Sequence, residues 1–190
     1  MRESLTELSL RLNDFNCLHE ENKRLRSLLA FKDKTGIETI PAEIIARNPN
    51  DWLASFVIDK GSNNDIKKGS AVCVVQGLLG RVNEVSERTS SVMLMAHPRF
   101  RVGGMIKNTQ FHGIIIGEGD GFARMLYLPI KATIHEGSVV VTSGYSRIFP
   151  KGIPIGKVVR VEKSKTGLYK DAIVKPSADP FSQDEVLCVK

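Results

Sequence analysis

Long apolar runs are missing from this sequence of 190 residues. A membrane-spanning helix needs roughly 18 apolar residues in a row, whereas the best apolar stretches here, 113–117 and 138–141, are only a few residues long. The first ten residues also lack the charged head and apolar middle of a secretory signal. With 42% hydrophobic and 25% charged residues, the composition is that of a globular domain and argues against a membrane-embedded or disordered chain.

The patterns that mark disulfide frameworks, metal sites and hydrolases are also missing. Three cysteines, Cys17, Cys73 and Cys188, are too widely scattered for a disulfide framework, and no two histidines have the spacing of metal ligands. No serine lies in the Gly-Asp-Ser-Gly-Gly setting of chymotrypsin-like proteases, and Ser143 is better explained as a turn hydroxyl. We therefore predict a non-enzymatic protein without cofactor or metal, in which Cys73 and Cys188 are small apolar residues of strands.

Glycine and proline are absent from residues 1–35, whereas the rest of the chain holds all 16 glycines and all 8 prolines. Apolar side chains in that first segment recur at spacings of three and four, as in a heptad seam with one stammer. The seam consists of Leu5, Leu8, Leu12, Phe15, Leu18, Asn22, Leu25 and Leu29. The pattern predicts an amphipathic coiled-coil helix over residues 1–36 that pairs two chains, with the buried amide of Asn22 fixing the register.

A single helix that docks on the globular part, or projects from it, is the alternative, because any surface helix carries one apolar stripe. At about 1.5 Å per residue this helix would be roughly 50 Å long, which exceeds the width of a small domain. Part of the stripe would then have no cover within the chain, which favours self-association.

From residue 37 onward, short apolar runs alternate with turn residues, which is the pattern of an all-β sandwich or barrel. The candidate strands are 42–46, 54–58, 71–75, 81–85, 91–95, 101–106, 113–116, 123–128, 138–141, 156–161, 172–174 and 186–189. Twelve strands are too many for one small barrel. The sequence therefore predicts a mainly β fold with two small β-barrel-like domains of about six strands each. We assign 37–96 plus 168–190 to the first domain and 97–167 to the second, although 168–190 has the composition to close either.

Residues 142–156, TSGYSRIFPKGIPIG, combine two prolines, which fix φ, with three glycines, which allow conformations that other residues resist. Three bulky apolar groups lie among these turn formers, so we expect at least one of them to be available to a partner. The alternative is that Phe149 fills the end of the barrel beneath it. The candidate contact residues are Thr142, Ser143, Gly144, Tyr145, Ile148, Phe149, Pro150, Gly152, Pro154 and Gly156.

The net charge of +6 is compatible with nucleic acid, anionic lipid or an acidic partner. Residues 67–85 also have the strand, glycine loop, strand layout of small RNA-contacting barrels. Aromatic residues are only 6% of the chain, however, which leaves few platforms for base stacking. A nucleic-acid-binding two-barrel protein is therefore the alternative function.

Several strings occur in order along the chain: ENKRLRSLL at 21–29, AEIIARNPNDW at 42–52, VIDKGSNNDIKKG at 57–69, GLLGRVNEVSERTSSVMLM at 77–95, GIIIGEG at 113–119, TSGYSRIFPKGIPIGKV at 142–158 and VKPSADPFSQDEVLCV at 174–189. Together they resemble the bacterial rod-shape-determining protein C (MreC) family. The residues that match its structural motifs are Asp59, Gly61, Gly77, Gly80 and Val82.

The resemblance implies a non-enzymatic scaffold of the bacterial cell-elongation machinery, which self-associates, positions or activates peptidoglycan synthases and so controls rod shape. It implies penicillin-binding protein 2, the membrane protein MreD and the actin-like MreB system as partners, and no nucleic acid. Family members lie on the periplasmic or extracytoplasmic side of the inner membrane, held there by an N-terminal membrane anchor. That anchor is missing from this sequence, so the resemblance implies an extracytoplasmic fragment that begins after it.

Overall fold

The computed structural model describes residues 37–47, 55–146, 148–164 and 167–190. The predicted coiled coil, with all its seam residues, lies outside this part of the chain. The described strands are β1 (Thr39–Arg47), β2 (Ser55–Ile58), β3 (Ala71–Val74), β4 (Gly77–Val85), β5 (Ser90–Leu94), β6 (Arg101–Ile106), β7 (His112–Gly117), β8 (Ala123–Pro129), β9 (Val139–Thr142), β10 (Pro154–Lys163), β11 (Tyr169–Pro176) and β12 (Glu185–Val189). Two 3-10 turns span Ser62–Asn64 and Pro180–Ser182. Every predicted strand overlaps one of these strands.

The first barrel closes six antiparallel strands in the order β1-β12-β3-β4-β5-β2. Successive residues of a strand point to opposite faces, so Phe56 and Ile58 of β2 meet Val92 and Leu94 of β5 inside one core. Each such fully buried side chain contributes roughly 1.5–3 kcal/mol to the free energy of unfolding.

The second barrel closes another six antiparallel strands in the order β10-β11-β8-β7-β6-β9. Val102, Ile115, Met125, Leu128 and Val140 are among its buried side chains. The prediction of a mainly β fold with two six-stranded barrels is therefore confirmed for the described residues. None of these residues belongs to a helix with the length and apolar character needed to cross a membrane.

The assignment of residues 168–190 to the first barrel is wrong for its first half. β11 pairs with β10 on one side and with β8 on the other, both in the second barrel, and only β12 joins the first barrel, between β1 and β3. Antiparallel strands that follow each other through a short connection pair as a hairpin, and β10 and β11 are separated by only a few residues. Without β11, the edges of β8 and β10 would remain unpaired.

The motif around Asp59 joins β1 to β2. The Asp59 carboxylate accepts a hydrogen bond from the backbone N–H of Glu43 at 2.7 Å. Partial burial alone would raise the pKa of this carboxyl, but hydrogen bonds from Lys60 and from the Glu43 N–H outweigh it and hold the pKa below its usual value. Gly61, two residues further on, opens the first 3-10 turn. This motif therefore has a structural role.

The close approach of two strand backbones explains why β4 has glycine at position 80. A Cβ on Gly80 would lie 2.1 Å from the carbonyl oxygen of Met93 in β5, so only glycine lets the two strands pair here. Two residues further along β4, Val82 points into the core. Both motif residues of β4 therefore have a structural role: Gly80 allows close strand pairing, and Val82 fills the core.

The loop between β9 and β10 fastens the second barrel to the first. A Cβ on Gly77 of β4 would lie 2.4 Å from the carbonyl oxygen of Pro154, and a Cβ on Gly69 would lie 3.3 Å from the Cδ1 atom of Ile148. Gly77 also has a φ of 151°, which other residues rarely adopt. The two barrels therefore contact each other at glycine positions of the first barrel, where no side chain separates the backbones.

Phe149 belongs to this junction and is 5% exposed. Its ring meets the ring of Phe100 edge-on, with centroids 6.2 Å apart, and the guanidinium carbon of Arg81 lies 6.0 Å from the centroid of Phe100. Aromatic and cation–π contacts of this kind favour burial. Burial against Phe100 removes Phe149 from the exposed surface that was expected to meet a partner.

Both described cysteines are free thiols without exposed surface. Burial raises the pKa of the Cys73 thiol to about 12, and burial together with the nearby Cys73 and Asp59 raises the pKa of Cys188 to about 12. The thiolate is the reactive form of cysteine, so both residues are protected from oxidation while the barrel is folded.

Replacement of Phe149 tests the junction. We expect Phe149→Ala to lower the free energy of unfolding by about 3–5 kcal/mol, because it removes a buried aromatic ring. The exposed neighbour variant Tyr145→Ala should change it by less than about 0.5 kcal/mol. Urea unfolding of both variants measures the difference, and equal effects would contradict the burial of Phe149.

Thiol labelling tests the protection of the cysteines. In a Cys17→Ser variant, Cys73 and Cys188 should not react with a maleimide at mildly alkaline pH while the chain is folded, and both should react in urea. Mass spectrometry counts the added groups. Rapid labelling of the folded chain would show that the first barrel opens far more readily than its core implies.

Candidate functional site

The outer face of the second barrel carries apolar side chains where most barrels carry polar ones. In β7, Ile115 points inward and is buried, whereas Ile114 points outward and is exposed. Ile114 pairs across strands with Leu126 of β8, and His112 pairs with Met105 of β6. Outward-facing apolar side chains therefore lie on three neighbouring strands: Met105, Ile114 and Leu126.

All three tyrosines of the chain lie on this face. Tyr127 of β8 and Tyr169 of β11 are 56% and 42% exposed and meet edge-on with ring centroids 5.7 Å apart. Tyr145 is 79% exposed, and its ring centroid lies 4.8 Å from that of His112, with its hydroxyl 3.4 Å from the His112 Nε2. We call His112, Ile114, Leu126, Tyr127, Tyr145 and Tyr169 the tyrosine face.

A β-bulge turns two successive residues of β8 outward. β8 pairs with β11 through Met125↔Ala172 and Leu128↔Lys170, so two residues of β8 face only one of β11. Leu126 and Tyr127 are the two residues opposite Asp171, and both are at least partly exposed between the buried Met125 and Leu128. Bulges re-aim side chains in this way.

Tyr127 also has a φ of 64°, in the left-handed region. This conformation costs a residue with a side chain roughly 1–2 kcal/mol. Backbone strain of this kind is concentrated at functional positions. The outward position of Tyr127 is therefore maintained at a cost to stability.

Charged side chains border the tyrosine face. Arg124 of β8 pairs with Glu118 and, at 3.3 Å, with Glu162 of β10, and the hydrogen bond to Glu118 is the main reason why the pKa of Arg124 is raised. These residues, with Leu126, Tyr127 and Tyr169, line an open groove of about 640 Å³. Protein-binding surfaces combine exposed tyrosine and arginine with a charged rim in this way.

The loop after β9 holds Tyr145 in place. The Thr142 hydroxyl donates to the carbonyl of Pro150 and accepts from the backbone N–H of Ile153 at 2.9 Å, while the N–H of Gly152 donates to the carbonyl of Thr142 at 3.0 Å. The loop is thus closed by hydrogen bonds around one threonine.

Ser143 and Gly144 complete the turn. The Ser143 N–H donates to the carbonyl of Gly103 at 2.9 Å, and its hydroxyl accepts from the N–H of Tyr145 at 3.5 Å, which is the geometry of a turn hydroxyl. Gly144 has a φ of 76° and lies against Lys151. Among the described residues, no group of three or more His, Cys, Asp or Glu side chains is placed to hold a metal ion.

The predicted contact loop therefore divides into two parts. Tyr145 joins the tyrosine face, whereas Ile148, 42% exposed, and Pro154 contact the first barrel at the junction. Thr142 and Ser143 are buried, and Gly156 of β10 lies close to the Lys175 carbonyl of β11. Sequence reasoning missed Tyr127 and Tyr169, although the unbroken apolar run 125–128 was a signal, because a strand cannot alternate through it.

Comparison with known proteins places this geometry in a family. Residues 44–190 match the family described as "Rod shape-determining protein MreC, barrel core". The cell shape-determining protein MreC of Listeria monocytogenes is 32% identical over 100% of this chain and 66% of its own length. The MreC protein of Bacillus subtilis is 33% identical over 90% of this chain and 64% of its own length. The chain thus spans just under two thirds of these relatives.

Solved structures have the same fold. One MreC structure superimposes with a TM-score of 0.83 and 29% identity, over 91% of this chain and 99% of that chain. The major periplasmic domain of the cell shape-determining filament MreC gives 0.70 and 28%, over 80% and 95%. MreC from Helicobacter pylori, solved in complex with the penicillin-binding protein PBP2, gives 0.67 and 21%, over 80% and 98%, which shows the fold alone.

The resemblance seen in the sequence motifs is therefore confirmed by the family match, by relatives above 30% identity and by the double barrel itself. This chain belongs to the MreC family of rod shape-determining proteins.

Proposed function

We propose that this chain is a non-enzymatic scaffold of the cell-elongation machinery, which binds a peptidoglycan synthase through the tyrosine face and thereby controls rod shape. The observation that carries the proposal is the group of three exposed tyrosines on one side of a closed barrel. The Helicobacter pylori complex supports penicillin-binding protein 2 as the synthase.

The chemistry of the surface fits a protein partner. Tyrosine supplies a large contact area for little loss of side-chain entropy, and its hydroxyl satisfies polar groups at the edge of an interface. A closed barrel keeps these rings in fixed positions, which lowers the entropic cost of binding. By binding one conformation of the synthase more tightly than others, the scaffold shifts the synthase population toward that state.

The heptad seam of residues 1–36 supports self-association as the second part of the proposal. A parallel pair of helices would hold two double barrels side by side and present two tyrosine faces. We further propose that the full-length protein is anchored in the inner membrane, exposes this part on the periplasmic or extracytoplasmic side, and contacts MreD and the MreB system. Periplasmic placement is supported by the related periplasmic MreC domain.

Removal of the two paired tyrosines tests the binding surface. We expect the double variant Tyr127→Ala, Tyr169→Ala to weaken binding to penicillin-binding protein 2 of the same organism by roughly 30-fold or more, because central interface tyrosines are frequent hot spots. Biolayer interferometry with the immobilised synthase measures the affinity. The matched control is Ile45→Ala, which truncates an exposed apolar residue of the first barrel.

The melting temperature of the double variant separates binding from folding. It should stay close to that of the unmodified chain, because both tyrosine side chains are exposed. If the Ile45→Ala control lost as much affinity, or if the double variant kept its affinity, the proposal that the synthase binds the tyrosine face would be refuted.

The coiled coil is tested by light scattering. We expect the full chain to be dimeric and the compact unit 37–190 to be monomeric at the same concentration. Leu25→Glu, inside the seam, should give monomers, whereas Lys23→Glu, outside it, should leave the dimer intact. A full chain that stays monomeric at high concentration would refute pairing through this segment.

A further inference from the structure

The second barrel carries the whole positive charge of the chain. Residues 101–176 contain twelve Lys and Arg residues against five Asp and Glu residues, a net charge of +7, whereas the complete chain has +6. The first barrel and the N-terminal segment together are therefore slightly acidic. Such a division of charge concentrates any attraction for anions on one barrel.

Three of these basic residues form a row across neighbouring strands. Lys157 of β10 lies directly opposite Lys175 of β11, and on its other side it pairs with Val139 of β9. The backbone N–H of Lys107 donates to the carbonyl of Val139 at 2.8 Å, which places Lys107 at the next position of the row. We call Lys107, Lys157 and Lys175 the lysine row; all three are exposed.

Nothing in the described residues neutralises the row by an ion pair, since its ammonium groups make none of the salt bridges found there. Like charges directly opposite each other on neighbouring strands destabilise a sheet. The fold could relieve this repulsion with an acid on another strand, as it does for Arg124 of β8 with Glu162 of β10. The two lysines instead remain side by side.

The row borders a concave surface. An open groove of about 660 Å³ is lined by Lys157, Lys175, Val159, Pro176, Ser177 and Glu136, with short backbone stretches between them. The groove holds one carboxylate, that of Glu136, and no aromatic side chain. The groove is open to solvent, so an extended chain can lie across it.

We infer that the lysine row and its groove bind a linear polymer of phosphate groups. Repeated negative charges along a flexible chain match the lysines of this row, in which Lys157 and Lys175 lie on neighbouring strands about 5 Å apart and Lys107 lies beyond Val139 of β9. Nucleic acid fits less well, because single strands are bound by stacking on aromatic rings and the tyrosines of this chain lie on the tyrosine face instead. This surface shares no residue with the tyrosine face, so the inference is independent of the proposed scaffold function.

Binding of the full chain to inorganic polyphosphate tests the inference, with affinity measured by calorimetry at several salt concentrations. We expect Lys157→Gln to weaken binding about fivefold and the double variant with Lys175→Gln to weaken it more than tenfold. The salt dependence of the logarithm of affinity should have a slope of about −2 for three lysines, and each lysine removed should reduce it by about 0.7. Glu136→Gln should strengthen binding.

Lys131→Gln is the matched control, because it removes the same charge from an exposed lysine that does not line the groove. It should leave the affinity within twofold. An equal loss in this control would show that net charge alone attracts the polymer and would overturn the inference.

Two further ligands separate the sources of phosphate. Row-dependent binding to phosphatidylglycerol vesicles without binding to polyphosphate would assign the surface to lipid and overturn the inference. Tighter binding to single-stranded DNA than to polyphosphate of equal phosphate number would assign it to nucleic acid. The melting temperature of Lys157→Gln without ligand should stay the same or rise, since the like-charge pair is removed.

Discussion

Closure of each barrel is the constraint on which the rest of the structure depends. A six-stranded sheet has two unpaired backbone edges unless its two outermost strands pair with each other. In the first barrel, β12 returns from the end of the chain to pair with β1 and β3. The second barrel is therefore inserted between β5 and β12, and the chain crosses between the barrels twice. Two chain crossings restrict the motion of one barrel relative to the other far more than a single linker does.

The junction strengthens this restriction. Phe149 and Phe100 pack next to Arg81 of β4, and the backbone of Pro154 approaches Gly77 too closely for any side chain. The two glycine contacts and the aromatic contact come from one loop, which also positions Tyr145 through the hydrogen bonds around Thr142. A single segment thus sets both the arrangement of the barrels and part of the tyrosine face.

Sequence patterns predicted the strands well, because alternation of apolar residues is a local property of each strand. They failed at strand pairing. The residues of β11 do not show which strands it pairs with, and only the hairpin with β10 and the need to cover β8 assign it to the second barrel. The sequence patterns did not predict the tyrosine face for a related reason. The bulge that turns Tyr127 outward arises from a register shift between β8 and β11, so the apolar run 125–128 shows that alternation is broken but not which side chain turns outward. An aromatic residue among turn formers suits an exposed loop and a buried junction equally, so the sequence alone does not decide where Phe149 lies.

A closed barrel must recognise partners through side chains, because it has no free strand edge to offer. Tyr169 and Lys175 lie near opposite ends of β11, six residues apart, which corresponds to about 20 Å along a strand. The tyrosine face and the lysine row are therefore separate surfaces of one barrel. Because both surfaces belong to one rigid barrel, a protein bound at the first and a polymer bound at the second would be held at a fixed distance. That is the physical property that a scaffold for polymer-building enzymes requires, and it needs no catalytic group.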